Sequence, residues 1–184
     1  MTSDTLYEKT TRQPPPPVSL SPGQQTAGFK VVRVDHVPEV CANAYLLRHL
    51  QTGAHVMHLH CNDTEKAQVI SFSTPPPDDT GVAHILEHMV FCGSRKYPVK
   101  DILTELEKSS AATYLNAHTG QDHTEYPCAT TIKRDFFRIS DAYLDAVFFP
   151  DLTNVHFRQE AWHREIPDSS TDNTPYAPFR LSGV

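Results

Sequence analysis

Residues 81–93 read Gly81-Val82-Ala83-His84-Ile85-Leu86-Glu87-His88-Met89-Val90-Phe91-Cys92-Gly93. Two histidines four apart lie one above the other on a helix face, close enough to grip one metal ion. Glu87 flanks the same face, where a carboxylate can take a proton from water that the metal acidifies. The other side reads Val82, Ile85, Leu86, Met89 and Val90, a stripe at helical spacing that is expected to pack into a core. Gly93 is expected to stop the helix. The stretch therefore predicts a short helix, anchored by apolar residues and presenting His84, Glu87 and His88.

Upstream, Thr74-Pro75-Pro76-Pro77-Asp78-Asp79-Thr80 forces a turn and ends in side chains suited to capping a helix. Four strands precede it: one from Phe29, a pair over Ala42–Leu50 and Ala54–Cys61 around the hairpin signal Gln51-Thr52-Gly53, and Ala67–Ser73. His58 and His60 share a strand face, read as a polar surface rather than a metal pair. Downstream, Asp101 is placed to cap a helix with Ile102, Leu103 and Leu106 inward. Thr113–His118 and Thr124–Thr130 read as strands around Gly120. Lys133–Phe149 reads as an amphipathic helix with Phe136, Ile139, Tyr143, Leu144 and Val147 inward and Pro150 as its stop, and Asn154–Arg164 as a further helix. Strands, a helix, two strands, then helices predict an α+β domain, a mostly antiparallel sheet with helices packed on one side.

The flanks of the His84–His88 stretch extend this reading. Cys92-Gly93-Ser94-Arg95-Lys96-Tyr97-Pro98, Asn116-Ala117-His118-Thr119, Asp122-His123-Thr124, Tyr126-Pro127, Tyr143-Leu144-Asp145-Ala146 and Gln159-Glu160-Ala161-Trp162-His163 follow in order. This succession resembles the pitrilysin/insulinase metallopeptidases, most closely their presequence-protease subgroup, over roughly residues 29–184. Ile102 and Leu103 stand where that family usually has a proline and a phenylalanine.

The resemblance implies a Zn2+-dependent endopeptidase of unstructured peptides such as cleaved targeting presequences. His84 and His88 would hold the metal and Glu87 would serve as general base. A peptide would add as a strand along the edge carrying Asn116 and Ala117. The third zinc ligand would be a glutamate just past Val184, with Glu165 as the substitute within the chain. The expectation is therefore an N-terminal part of a metallopeptidase domain over 28–184, preceded by a polar, Pro-rich segment over 1–27. Such a piece would bind zinc weakly and cleave poorly or not at all. Its partners would be the unfolded peptide and the remaining domains of a longer protease. The alternative is a non-catalytic peptide-binding or structural family member.

Composition sets limits. With 16 basic against 22 acidic residues, net charge −6, and no basic cluster, nucleic acid is not an expected partner. No run of eighteen apolar residues is present, so no membrane span is expected. Cys41, Cys61, Cys92 and Cys128 have no C-x-x-C spacing and read as reduced thiols. Cys92 reads as a small buried residue rather than a ligand. The resemblance implies the mitochondrial matrix. The cytoplasm is the alternative, because Asp4 and Glu8 beside Lys9 and Arg12 make a poor transit peptide.

Overall fold

The computed structural model describes residues 19–161, together with the backbone of 163–165 and 180–182. Most of the Pro-rich segment, including Pro14–Pro17, lies outside the described residues. The chain divides into two compact units between Asp63 and Thr64.

The first unit is a four-stranded antiparallel sheet in the order β1 (Gln25–Thr26), β2 (Phe29–Val37), β3 (Ala42–His49), β4 (His55–Cys61). Strand β1 lies within the stretch expected to be lead-in. The expected hairpin joins β3 to β4: His49 N–H donates to the Ala54 carbonyl at 2.7 Å, and Gly53 takes a φ of +77° that other residues rarely adopt. Val31, Tyr45 and Leu47 form its core, with Leu20, Phe29 and Val34 against them. His58 and His60 sit side by side, ring centroids 5.8 Å apart. Burial and then the His60 charge hold the His58 pKa below its ordinary value.

The second unit places β8 (His123–Thr130) at the centre of an antiparallel sheet. Strand β5 (Lys66–Ser73) pairs on one side, and β6 (Ala112–Leu115) and β7 (His118–Thr119) on the other. The single strand expected over Thr113–His118 is broken at Asn116-Ala117, where the Asn116 Oδ1 accepts its neighbour's N–H at 2.9 Å. A side chain that satisfies the adjacent amide interrupts the ladder. Helices α1 (Val82–Met89), α2 (Ile102–Ser109) and α3 (Lys133–Phe148) pack on the sheet. Val90, Phe91, Ile102, Leu106, Tyr126, Cys128, Ile139, Ala142, Tyr143 and Ala146 form the core between them. Helix α4 (Asn154–Glu160) docks on α1. It ends at Glu160 rather than Arg164, because His163–Glu165 enters a strand, β9, that pairs with β10 (Arg180–Ser182). The result is the expected α+β class.

Asp101 caps α2 as predicted, accepting from Thr104 N–H at 2.9 Å and Thr104 Oγ1–H at 2.6 Å. Other expectations need correction. Helix α1 is not capped by a side chain. Asp78 instead accepts from the Thr80 N–H and hydroxyl, stabilising the turn, and Gly81 enters the helix at φ +70°. The helix ends at Val90, before Gly93. Gly93 turns the chain later, at φ +127°, where a Cβ would press on the Val99 carbonyl at 3.2 Å. On α1, Val82 and Leu86 face outward (59% and 41% exposed), while Met89, Val90 and the acid Glu87 are buried. On α3, Leu144 is exposed. The small residues Ala142, Ala146 and Ser140 instead let Ile139 and Tyr143 approach the sheet closely.

Candidate metal and peptide site

One turn of α1 sets His84 over His88, their Nε2 atoms 3.2 Å apart and their rings edge to face at 4.8 Å. Helical spacing alone produces this pairing. Two imidazoles bound to one tetrahedral zinc at about 2.0–2.1 Å place their nitrogens roughly 3.3 Å apart, so the observed separation fits two ligands of one ion. Among the described residues, no group of three His, Cys, Asp or Glu side chains converges on a metal position. The Glu165 side chain lies outside the described residues.

Glu87 lines the same cavity as the two histidines but is only 6% exposed. A buried carboxylate needs donors. Thr119 on β7 supplies one, its hydroxyl donating to Glu87 Oε2 at 2.6 Å. Thr119 in turn lies 3.3 Å from the Thr124 hydroxyl, and Thr124 2.8 Å from that of Thr74. Because the single Thr119 proton is used on the carboxylate, Thr124 donates to Thr119 and Thr74 donates to Thr124. Three hydroxyl dipoles thus point toward Glu87. Nearby, burial and then the Glu87 charge push the Tyr126 pKa up to about 12, so this phenol stays protonated.

These groups open on a cavity of about 700 Å³ lined by His84, Glu87, His88, Asn116, Ala117 and Thr119, among others. The predicted residues are thus brought together on one wall and one edge. Strands β6 and β7 pair only with β8 among the described residues, so the edge beside Asn116 and Ala117 carries no further strand. The Tyr143 hydroxyl donates to the Asn116 carbonyl at 3.3 Å and fixes the break in that edge. Cys92 is buried, its thiol 3.7 Å from the His88 carbonyl oxygen. Burial and then Glu160 push its thiol up to about 11, which keeps it protonated and suits a packing residue.

Two side chains at the site were missed as functional candidates from the sequence alone. Thr119 and Glu160 fall inside quoted motifs, but nothing local shows what they touch. Glu160 reaches His88 from α4, its Oε2 3.3 Å from His88 Nδ1.

The chain is 47% identical over 163 residues to presequence protease 1, chloroplastic/mitochondrial, of Arabidopsis thaliana, covering 86% of this chain and 15% of that protein. It is 44% identical over 155 residues to the mitochondrial presequence protease of Eremothecium gossypii (83% and 16% covered) and 43% identical over 155 residues to that of Xenopus laevis (84% and 15%). The chain therefore spans about 15% of the length of the curated relatives it matches. The crystal structure of pitrilysin superposes with a TM-score of 0.63 over 73% of this chain and 15% of that one at 22% identity, which shows a shared fold. Residues 73–176, more than half of the chain, match the profile described as Insulinase (Peptidase family M16). The chain belongs to the insulinase family of peptidases, family M16.

Proposed function

We propose that the second unit carries the metal-binding and water-activating part of a zinc-dependent endopeptidase acting on unstructured peptides, cleaved targeting presequences among them. The observation that carries the reading is the joint placement of the His84–His88 pair, the buried Glu87 and the open edge of β6–β7 on one cavity. His84 and His88 would hold the ion through Nε2. Zinc bound there supplies a Lewis acid that acidifies water and polarises a carbonyl. Glu87 takes the proton of the attacking water and returns it to the leaving amine as the C–N bond breaks, so the carboxylate is regenerated. Thr119 fixes Oε2 and leaves Oε1 for that transfer. The peptide lies as an added strand beside Asn116 and Ala117, held through its backbone, so the reading calls for an extended chain rather than a particular side-chain sequence.

Residues 28–184 would then form the N-terminal part of a metallopeptidase domain that works with the remaining domains of a longer protease. The third metal ligand would come from a glutamate outside the described residues. The mitochondrial matrix is the compartment this reading favours; the names of the relatives say mitochondrial. With two firm ligands the chain binds zinc weakly and cleaves poorly.

The test is zinc content and peptide cleavage in parent and Glu87→Gln chains. The variant is expected to keep zinc within about threefold and to lose hydrolysis. Cleavage at the parent's rate by Glu87→Gln removes the assigned base. Peptide binding that survives chelation, with no cleavage in either chain, favours a peptide-binding module instead.

A further inference from the structure

We infer that Glu160 is a positioning residue that sets the tautomer of His88 and so presents its Nε2 lone pair to the cation. The inference rests on the reading of His84 and His88 as a metal pair.

Glu160 Oε2 lies 3.3 Å from His88 Nδ1. A carboxylate only accepts hydrogen bonds, so this approach is attractive only when Nδ1 carries a proton. A neutral imidazole has one such proton. Placing it on Nδ1 strips it from Nε2, the atom that faces His84 Nε2 at 3.2 Å. The opposite tautomer would aim an N–H at the metal position and leave Nδ1 and Oε2 as two acceptors in contact. Glu160 is itself held. Its Oε1 accepts from Gln159 Nε2 at 2.8 Å and from the Cys92 thiol at 3.8 Å, and its side chain is 20% exposed. The Cys92 thiol, kept protonated by burial, can donate there. Carboxylates placed behind a ligating imidazole fix its orientation and raise its basicity, and losing one commonly lowers metal affinity about 10–100-fold.

A bridge that only docks α4 on α1 would leave the ring protons of His88 indifferent to the acid. That difference makes the inference testable without catalysis. The 184-residue chain, Glu160→Gln and Glu160→Ala are labelled with 15N-histidine and stripped of metal. They are examined at about pH 8, where an ordinary imidazole is neutral. The His88 signal is assigned by its loss in His88→Asn.

In the parent, His88 is expected to be protonated at Nδ1. In Glu160→Ala its proton should move toward Nε2. Glu160→Gln, whose amide oxygen can still accept, should keep the Nδ1–H tautomer. Zinc affinity, read by competition with a chromophoric chelator, should fall at least about tenfold in Glu160→Ala and less in Glu160→Gln. The isosteric Gln variant guards against loss of fold, which far-UV circular dichroism monitors. A parent His88 protonated at Nε2, a tautomer unchanged in a folded Glu160→Ala, or zinc affinities of both variants within twofold of the parent would overturn the inference. A parent that takes up no zinc while its His88 tautomer still follows Glu160 would sink the metal reading and leave the positioning role standing.

Discussion

Replacing Thr119 with valine removes one hydroxyl and keeps the side-chain shape, so it isolates the donor on Glu87. A hydrogen bond to a charged group contributes about 1.5–3 kcal/mol, against roughly 0.5–1.5 kcal/mol between neutral groups. Glu87 is buried against β7 yet also lines the cavity, so water can reach the vacated Oε2. The lower half of the charged range, about 1.5–2 kcal/mol, is therefore expected for Thr119→Val. The change also strands the Thr124 hydroxyl that donates to Thr119, and that part of the loss does not depend on the charge at residue 87. A double-mutant cycle separates the two. In a Glu87→Gln background, the bond from Thr119 falls on a neutral amide oxygen, so Thr119→Val should cost about 1 kcal/mol less than it does in the parent. Urea unfolding of the four chains, followed by far-UV circular dichroism, measures the cycle. Equal costs in the two backgrounds, or a Thr119→Val cost below about 0.5 kcal/mol, would refute a charge-directed hydroxyl chain.

Asp101→Ala removes both acceptors that Thr104 uses at the start of α2, and thermal unfolding should report a loss of about 1 kcal/mol; no measurable shift would mean water replaces the cap. Asp145 gives a pH dependence. Burial pushes its carboxyl up, but the Lys96 N–H at 2.7 Å and the Arg95 guanidinium at 3.3 Å outweigh burial and hold it below its ordinary value of 3.8. Its folded pKa is therefore lower than its unfolded one, so its contribution is present above about pH 4 and lost as pH falls through the depressed value. Acid unfolding of Asp145→Asn should be flatter below pH 4 than that of the parent, and identical profiles would assign the acid transition to other carboxylates.

What the sequence disclosed and what it hid divide along chain distance. The β3–β4 hairpin, the Asp101 cap and the His84–His88 pairing each depend on residues within one turn or one hairpin of each other, where spacing and turn chemistry decide the geometry. The faces of α1 and α3 depend on what packs against them, and there the apolar pattern misled. Leu86 and Leu144 look inward by period, yet Glu87 takes the buried place on α1 because Thr119 meets it there. Ala142 and Ala146 take it on α3 because small residues bring Tyr143 against the sheet. The break of the β6–β7 edge at Asn116 was hidden for a related reason. Asn116 and Ala117 are weak strand formers but do not by themselves end a strand; the Asn116 side chain and the Tyr143 hydroxyl fix the interruption. Glu160 is the extreme case, since its meaning lies in which nitrogen of a distant ring it touches.

The same division bears on what a His-x-x-Glu-His motif can establish. Helical geometry will bring two imidazoles together wherever those residues fall in a helix. It does not choose their tautomers, and it gives a carboxylate on the same turn no reason to stay charged when buried. In this chain those choices are made by groups from elsewhere: the Thr74–Thr124–Thr119 hydroxyls behind Glu87 and the Glu160 carboxylate behind His88. A sequence that kept His84, Glu87 and His88 but carried apolar residues at 119 and 160 would still fit the motif. Its acid would sit buried with one donor fewer, and its second imidazole would be free to turn an N–H toward the ion. The competence of such a site is therefore carried as much by β7 and α4 as by the helix that bears the motif.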